Sequence, residues 1–237
     1  MRLDQALVQR NIYPTRARAV AAIKAGLVVV NGVTAKKPSQ DVGDADVLVG
    51  GELPYSVGRG SLKLRRALDV FGLNPQGCVC LDVGASTGGF TDELLSRGAA
   101  RVYAVDVGTN QLAPSLREDS RVVSIEQTDI RALPVQSAVD LIVIDVSFIS
   151  LVDIVEALPK WGAKDVVVLI KPQFEVPRDV AAKFNGVIKS QDWHEWSKKR
   201  VIDAFGRYNF AFCDVVESPI SGGSGNTEFL AHFKLNK

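Results

Sequence analysis

Two charged residues close runs that are otherwise wholly apolar: Asp145 follows Leu-Ile-Val-Ile and Lys171 follows Val-Val-Val-Leu-Ile. Burying either charge alone is costly, so both are expected to meet each other or a ligand at the ends of buried strands. A lysine so placed can polarise or deprotonate a hydroxyl, and a carboxylate beside it fixes its position and tunes its charge. A further apolar run ends at Asp82 and turns through Gly84, Ala85, Ser86, Thr87, Gly88, Gly89 and Phe90 into a helical pattern. Glycines let the backbone approach a ligand closely and leave N–H groups at the helix start free for oxygen atoms. The spacing is not the G-x-G-x-x-G dinucleotide fingerprint and no G-K-[ST] follows, which argues against NAD and a phosphate-cradling loop. Asp106 closes the next run twenty-four residues after Asp82, the place of an acid that accepts hydrogen bonds from a nucleoside ribose. The plainer alternatives are a structural ion pair for Asp145 with Lys171 and a helix cap for Asp106.

These residues need strands to carry them. From Cys78 onward the runs CVCLDV, RVYAVDV, RVVSIEQ, VDLIVIDV and DVVVLIK alternate with helical segments near 88–97, 111–117 and 151–159, the rhythm of a parallel sheet wrapped by helices. Phe210–Glu217 and Phe229–Leu235, joined by SPISGGSGNT, add an antiparallel pair. The expected class is α/β, a Rossmann-like doubly wound sheet of seven strands with its ligand beyond the strands' carboxyl ends.

A length of 237 residues leaves room for a second, smaller domain. Residues 1–75 hold eleven Lys and Arg against six Asp and Glu, whereas the remainder holds seventeen against twenty-one, so the front is the candidate polyanion binder. Leu3, Ala6 and Leu7, then Ala19, Ala22 and Ile23, predict two short helices; Thr15 is a plausible N-cap and Gly26 a stop. Arg16 and Arg18 fall in the first turn of the second helix, against its dipole, which suggests function. Asn31-Gly32 is a two-residue hairpin signal. A small α+β domain over 1–52, a Gly- and Pro-containing connection over 53–61 and a large domain over 62–237 follow. Arg59, Lys63, Arg65 and Arg66 form a second basic group beside Tyr55. Without a secretory signal or a long apolar segment, a soluble cytoplasmic protein is expected. Cys78, Cys80 and Cys213 lack zinc spacing and are expected to be buried thiols, with no metal.

The pattern of Arg2-Leu3-Asp4, TRARAVAAIKAGLVVVNG and DVGDADVLV resembles the small RNA-binding fold named after the fourth protein of the small ribosomal subunit. That resemblance implies a grip on RNA phosphates by Arg16, Arg18, Lys24 and Lys36, to which Arg2, Arg59, Arg65 and Arg66 are added as further RNA contacts. Leu81 to Asp92 resembles the first motif of Rossmann-like S-adenosylmethionine methyltransferases, implying S-adenosyl-L-methionine as cofactor and Asp82, Gly84, Ser86, Thr87, Gly88, Gly89, Phe90 and Asp106 as its contacts. Asp129 would meet the adenine amino group and Ile130 its ring.

Nearly the whole chain resembles the TlyA family of ribosomal RNA ribose methyltransferases, relatives of the FtsJ group. The family's Lys, Asp, Lys, Glu tetrad matches Lys63, Asp145, Lys171 and Glu228, although Gly58-Arg59-Gly60-Ser61 departs from the usual Ser-Arg-Gly-Gly. The resemblance implies 2′-O-methylation of a cytidine, with ribosomal RNA or a ribosomal subunit as partner. The 2′-hydroxyl would meet Lys171, held by Asp145 and Lys63, while Glu228 orients the sugar; Phe148, Phe174 or Tyr55 would stack on a displaced base. The rivals are a noncatalytic RNA-binding or assembly factor, a haemolysin, which lacks the amphipathic basic helix it needs, and a base methyltransferase, which lacks its usual Cys nucleophile or Asn-Pro-Pro-like loop.

Overall fold

Asn31 and Gly32 turn the chain with φ of 49° and 83°, the left-handed pair of a type I′ hairpin, and join β1 (Val28–Val30) to β2 (Val33–Thr34). In this computed structural model, which describes residues 1–52 and 57–236, the hairpin belongs to the first of two units, Met1–Ser56 and Val57–Lys237. Tyr55 lies outside the described residues. In the first unit α1 (Leu3–Gln9) packs on α2 (Arg16–Lys24), and β3 (Leu48–Gly50) pairs with the free side of β1. Leu3, Leu7, Ala19, Ile23 and Val28 form its core. Thr15 caps α2 by accepting the Arg18 N–H, and Gly26, at φ 72°, follows its end. The cation against the helix dipole has a local answer. Arg16 Nε donates to Asp4 Oδ2 at 2.8 Å and Arg2 Nε to Oδ1 at 3.0 Å. The hydrogen bonds from Arg2 and Arg16 hold the buried Asp4 carboxyl down to about 2.

The second unit begins with α3 (Gly60–Phe71), so Gly60 and Ser61, assigned above to the connection, are helical. It continues through β4 (Val79–Val83), α4 (Gly89–Ser96), β5 (Arg101–Val105), α5 (Pro114–Arg117), β6 (Val122–Ile125), β7 (Leu141–Ile144) and β8 (Asp165–Ile170). Then come α6 (Pro172–Glu175), α7 (Arg178–Lys183), α8 (Gln191–Arg207), β9 (Phe210–Glu217) and β10 (Phe229–Leu235). The seven strands lie in the order β6-β5-β4-β7-β8-β10-β9, parallel except for β10, which is antiparallel to both neighbours. Strand β7, and β8 after its first residue Asp165, are wholly apolar because both faces are covered. Leu64, Leu68 and Leu94 of α3 and α4 contribute to one core, Trp161 and Phe205 to the other.

Three expectations need correction. The segment 151–159 is not an α-helix but three 3₁₀ turns, Leu151–Asp153, Val155–Ala157 and Pro159–Trp161. Pro159 has no N–H to continue a ladder and disfavours the helical conformation of the residue before it. Leu151, Val155, Leu158 and Trp161 are nevertheless buried, which is why the spacing looked helical. The helices expected near 88–97 and 111–117 are shorter, as α4 and α5 show. Of the thiols only Cys80 is buried, and burial pushes it up to about 12. Cys78 is half-buried and Cys213 exposed on the outermost strand. Among the described residues no helix is long and apolar enough to cross a membrane, and no His, Cys, Asp and Glu cluster could hold a metal ion.

Candidate active site

Strand order reverses between β4 and β7, and the loops leaving their carboxyl ends diverge there. Gly84 sits at that point with φ 82°, and a Cβ on it would lie 2.6 Å from the carbonyl oxygen of Asp145. The glycine lets the two loops pass. On one side a cavity of about 340 Å³ is walled by Asp106, Val107, Asp129, Ile130 and Ile149. On the other, a cavity of about 260 Å³ is walled by Gly58, Lys63, Thr87, Gly89, Phe90 and Lys171. Gly84, Ser86, Asp145 and Ser147 line both.

The Asp106 carboxylate accepts the Ser86 and Gly108 N–H groups, each at 2.7 Å, and so ties the glycine loop to the end of β5. Asp129 faces the larger cavity while paired with Arg131 at 2.6 Å, whose hydrogen bond holds its carboxyl below the usual range. Ile130 is buried beside it. Asp82 and Gly88, expected as ligand contacts, line neither cavity. A Cβ at Gly88 would run into the side chains of Leu116 and Leu112, so that glycine serves the packing of the loop on α5. Asp82 is wholly buried behind the loop, with one oxygen accepting the Thr91 hydroxyl at 2.7 Å and the other without a partner.

Burial pushes the Asp82 carboxyl up to about 7. The folded protein therefore holds a proton that the unfolded chain releases near the ordinary carboxyl value of 3.8, so the contribution of Asp82 to stability is full below pH ~4 and declines as pH rises toward about 7. Asp82→Asn removes this titration and keeps the oxygen that faces Thr91. Its stability relative to the parent is expected to improve by up to about 4 kcal/mol between pH 4 and pH 8, read from urea denaturation at both pH values; a difference that stays constant would contradict it.

The tetrad residues come together as two pairs. Lys171 Nζ lies 2.6 Å from Asp145 Oδ1, and Lys63 Nζ lies 2.6 Å from Glu228 Oε2. Lys63, Lys171 and Glu228 are exposed by only 8%, 8% and 2%. Their meeting follows from register: Phe229 stands opposite Ile170, so Glu228, one residue earlier, flanks Lys171, one residue later. Lys63 reaches Glu228 because α3 packs on β10. The expectation that Lys63 holds Lys171 is thus replaced by a Lys63–Glu228 pair. Lys171 instead donates to Ser147 Oγ at 2.8 Å. Sequence reasoning missed Ser147, whose only signal was its place two residues beyond Asp145. It also missed Glu175, a buried carboxylate accepting the Ser150 hydroxyl at 2.6 Å and the Leu151 N–H at 2.9 Å. Burial pushes Glu175 upward, and its bonds tie the segment after Asp145 to that after Lys171. Phe148 is 92% exposed with φ 66°, its ring centroid 5.2 Å from that of Phe174.

The larger cavity, with apolar walls and the Asp106 carboxylate at the end of β5, fits an adenosine; the smaller, rich in backbone N–H groups and charge, fits an amino-acid end. Lys171 lines the smaller and touches two of the four residues that line both, Asp145 and Ser147. Outside the cavities, Arg2 and Arg16 keep 43% and 56% of their side chains exposed despite the bonds to Asp4. Lys24, Lys36 and Arg66 are exposed and Arg18 half-buried; Arg59 is exposed too but lines the smaller cavity. Arg65 differs: with Arg97 it clasps the buried Glu93, at 2.9 and 2.8 Å, and so fastens α3 to α4.

A doubly wound sheet with β10 inserted antiparallel between β8 and β9, opening on a glycine turn at the switch point, is the sheet of a methyltransferase. The chain belongs to the FtsJ-like methyltransferase family, whose model matches residues 56–235, and carries an S4 domain over residues 1–48. It is 41% identical over 237 residues, 97% of this chain and 88% of the relative, to the 16S/23S rRNA (cytidine-2′-O)-methyltransferase TlyA of Mycobacterium tuberculosis. It is 40% identical over 240 residues to hemolysin A of Brachyspira hyodysenteriae, covering 98% and 99% of the two chains. A solved Streptococcus thermophilus structure, named for a hemolysin, matches with a TM-score of 0.78 and 42% identity over all of this chain and 89% of that one. The magnesium protoporphyrin IX methyltransferase of Synechocystis, at 14% identity and a TM-score of 0.55 over 75% of this chain and 83% of that one, shares the fold.

Proposed function

We propose that this protein transfers a methyl group from S-adenosylmethionine to the 2′-hydroxyl of a cytidine in ribosomal RNA, in the cytoplasm, with residues 1–52 holding the RNA and the second unit carrying the transfer. The observation that carries this reading is the pair of lysine–carboxylate contacts whose Lys63, Lys171 and Asp145 line the smaller cavity, Asp145 lining the larger as well. S-adenosylmethionine, when bound, supplies a methyl group on a positively charged sulfur. Asp106 is placed to accept from its ribose hydroxyls, Ile130 to lie along the adenine with Asp129 at its amino group, and the Ser86 to Phe90 turn to hold the methionine end. Asp82, from behind, keeps that turn in shape through Thr91. Lys171 receives and orients the target hydroxyl, and the proton the hydroxyl loses stays within the Lys171–Asp145 pair. Glu228, fixed by Lys63, orients the sugar, so that positioning supplies much of the acceleration. Phe148, exposed beside Phe174, is suited to stack on a displaced base. Arg2, Arg16, Arg18, Lys24 and Lys36 hold the RNA backbone, joined by Arg59 and Arg66.

The test incubates the protein with methyl-labelled cofactor and separated ribosomal subunits, digests the RNA to nucleosides and identifies the product by mass spectrometry. Label on a cytidine ribose is expected with the parent protein and its loss with Lys171→Ala. Label on a base, or full labelling by Lys171→Ala, overturns the reading.

A further inference from the structure

The contacts of Lys171 divide into two kinds. Asp145 Oδ1 is 2.6 Å from Nζ, close enough for a strong charge pair, yet this buried oxygen takes no directed hydrogen bond. The directed bond goes elsewhere, from Nζ to Ser147 Oγ at 2.8 Å. An ammonium has three N–H donors on a rotating head, and a charge contact without angular preference leaves that head free to turn. A hydrogen bond does not. Ser147 is also one of four residues lining both cavities, and it stands on the segment anchored at its far end by Glu175 through Ser150 and Leu151.

We infer that Ser147 is a positioning residue for methyl transfer: Asp145 supplies the charge that keeps Lys171 at the site, and the Ser147 hydroxyl supplies the direction, turning a remaining N–H of Lys171 into the smaller cavity that it lines. This rests on the assignment of Lys171 to the target hydroxyl. It predicts that the hydroxyl at position 147, rather than the shape of the side chain, sets the turnover.

Threonine and valine have the same outline and differ by that hydroxyl, so Ser147→Thr and Ser147→Val separate the two. With methyl-labelled cofactor and ribosomal subunits, Ser147→Val is expected to lower kcat about tenfold or more relative to Ser147→Thr, as loss of a hydrogen bond to a charged group does. The KM for RNA, and cofactor affinity by calorimetry, should agree between the two variants. Lys171→Ala is run alongside. Equal kcat for Thr and Val with an inactive Lys171→Ala overturns the role of Ser147 and leaves the function intact. A fully active Lys171→Ala overturns the function itself, and with it the basis of the inference. A Thr–Val difference confined to cofactor affinity assigns the hydroxyl to cofactor binding and likewise overturns the positioning role.

Discussion

Gly84→Ala is expected to lower the stability of the second unit by about 4 kcal/mol and to abolish cofactor binding. Two independent costs combine. A side chain at φ 82° carries left-handed strain of ~1–3 kcal/mol. Its Cβ would also lie 2.6 Å from the Asp145 carbonyl oxygen and 3.2 Å from the Val146 Cα, and forcing atoms into a packed site costs a further ~1–3 kcal/mol. Neither neighbour is a flexible side-chain end that swings away; both are backbone at the end of a buried strand. The displacement is therefore passed to Asp145, and from it to Lys171. Urea denaturation measures the first effect and calorimetry with S-adenosylmethionine the second. An unchanged unfolding midpoint would falsify the close approach of the two loops. Ala at Gly72, whose Cβ would meet nothing within 4 Å although its φ is 64°, is the control that carries backbone strain alone.

Lys63→Ala is expected to cost about 3–5 kcal/mol and to remove activity. Glu228, 2% exposed, would lose its counter-ion, and stranding one member of a buried pair is far worse than removing both. The double variant Lys63→Met, Glu228→Leu should recover most of the lost stability while remaining inactive. That combination of restored folding and absent transfer distinguishes a site held for chemistry from an ion pair held for stability. If the double variant also methylates RNA, the tetrad is not the machinery. If Lys63→Ala is as stable as the parent, Glu228 has found another partner.

Much of this arrangement was legible in the residues because strand ends announce themselves. Asp145 and Lys171 stood out by ending apolar runs, and apolar runs are strands buried on both faces. The seven-stranded sheet, the hairpin at Asn31-Gly32 and the cap at Thr15 all follow from local chemistry in the same way. What stayed hidden was pairing across the fold. Nothing in the order of residues says that Lys63 meets Glu228 rather than Lys171, since that depends on β10 inserting beside β8 in one register. Arg65 looked like a cation awaiting phosphate because its partner, Glu93, is a carboxylate buried by tertiary packing. Asp82 looked like a ligand contact because it precedes the glycines, whereas the pleat turns its side chain behind them, toward Thr91. The segment after Ser150 kept a helical spacing while Pro159 denied it a helical ladder.

The antiparallel insertion of β10 also divides the site between two parts of the sheet. The parallel strands β4 to β8 carry the glycine turn, Asp106, Asp145 and Lys171, whereas Glu228, the counter-charge of Lys63, arrives only with β10. A chain cut before β9 would keep the first group and lose the second, leaving Lys63 buried against the sheet with no carboxylate beside it.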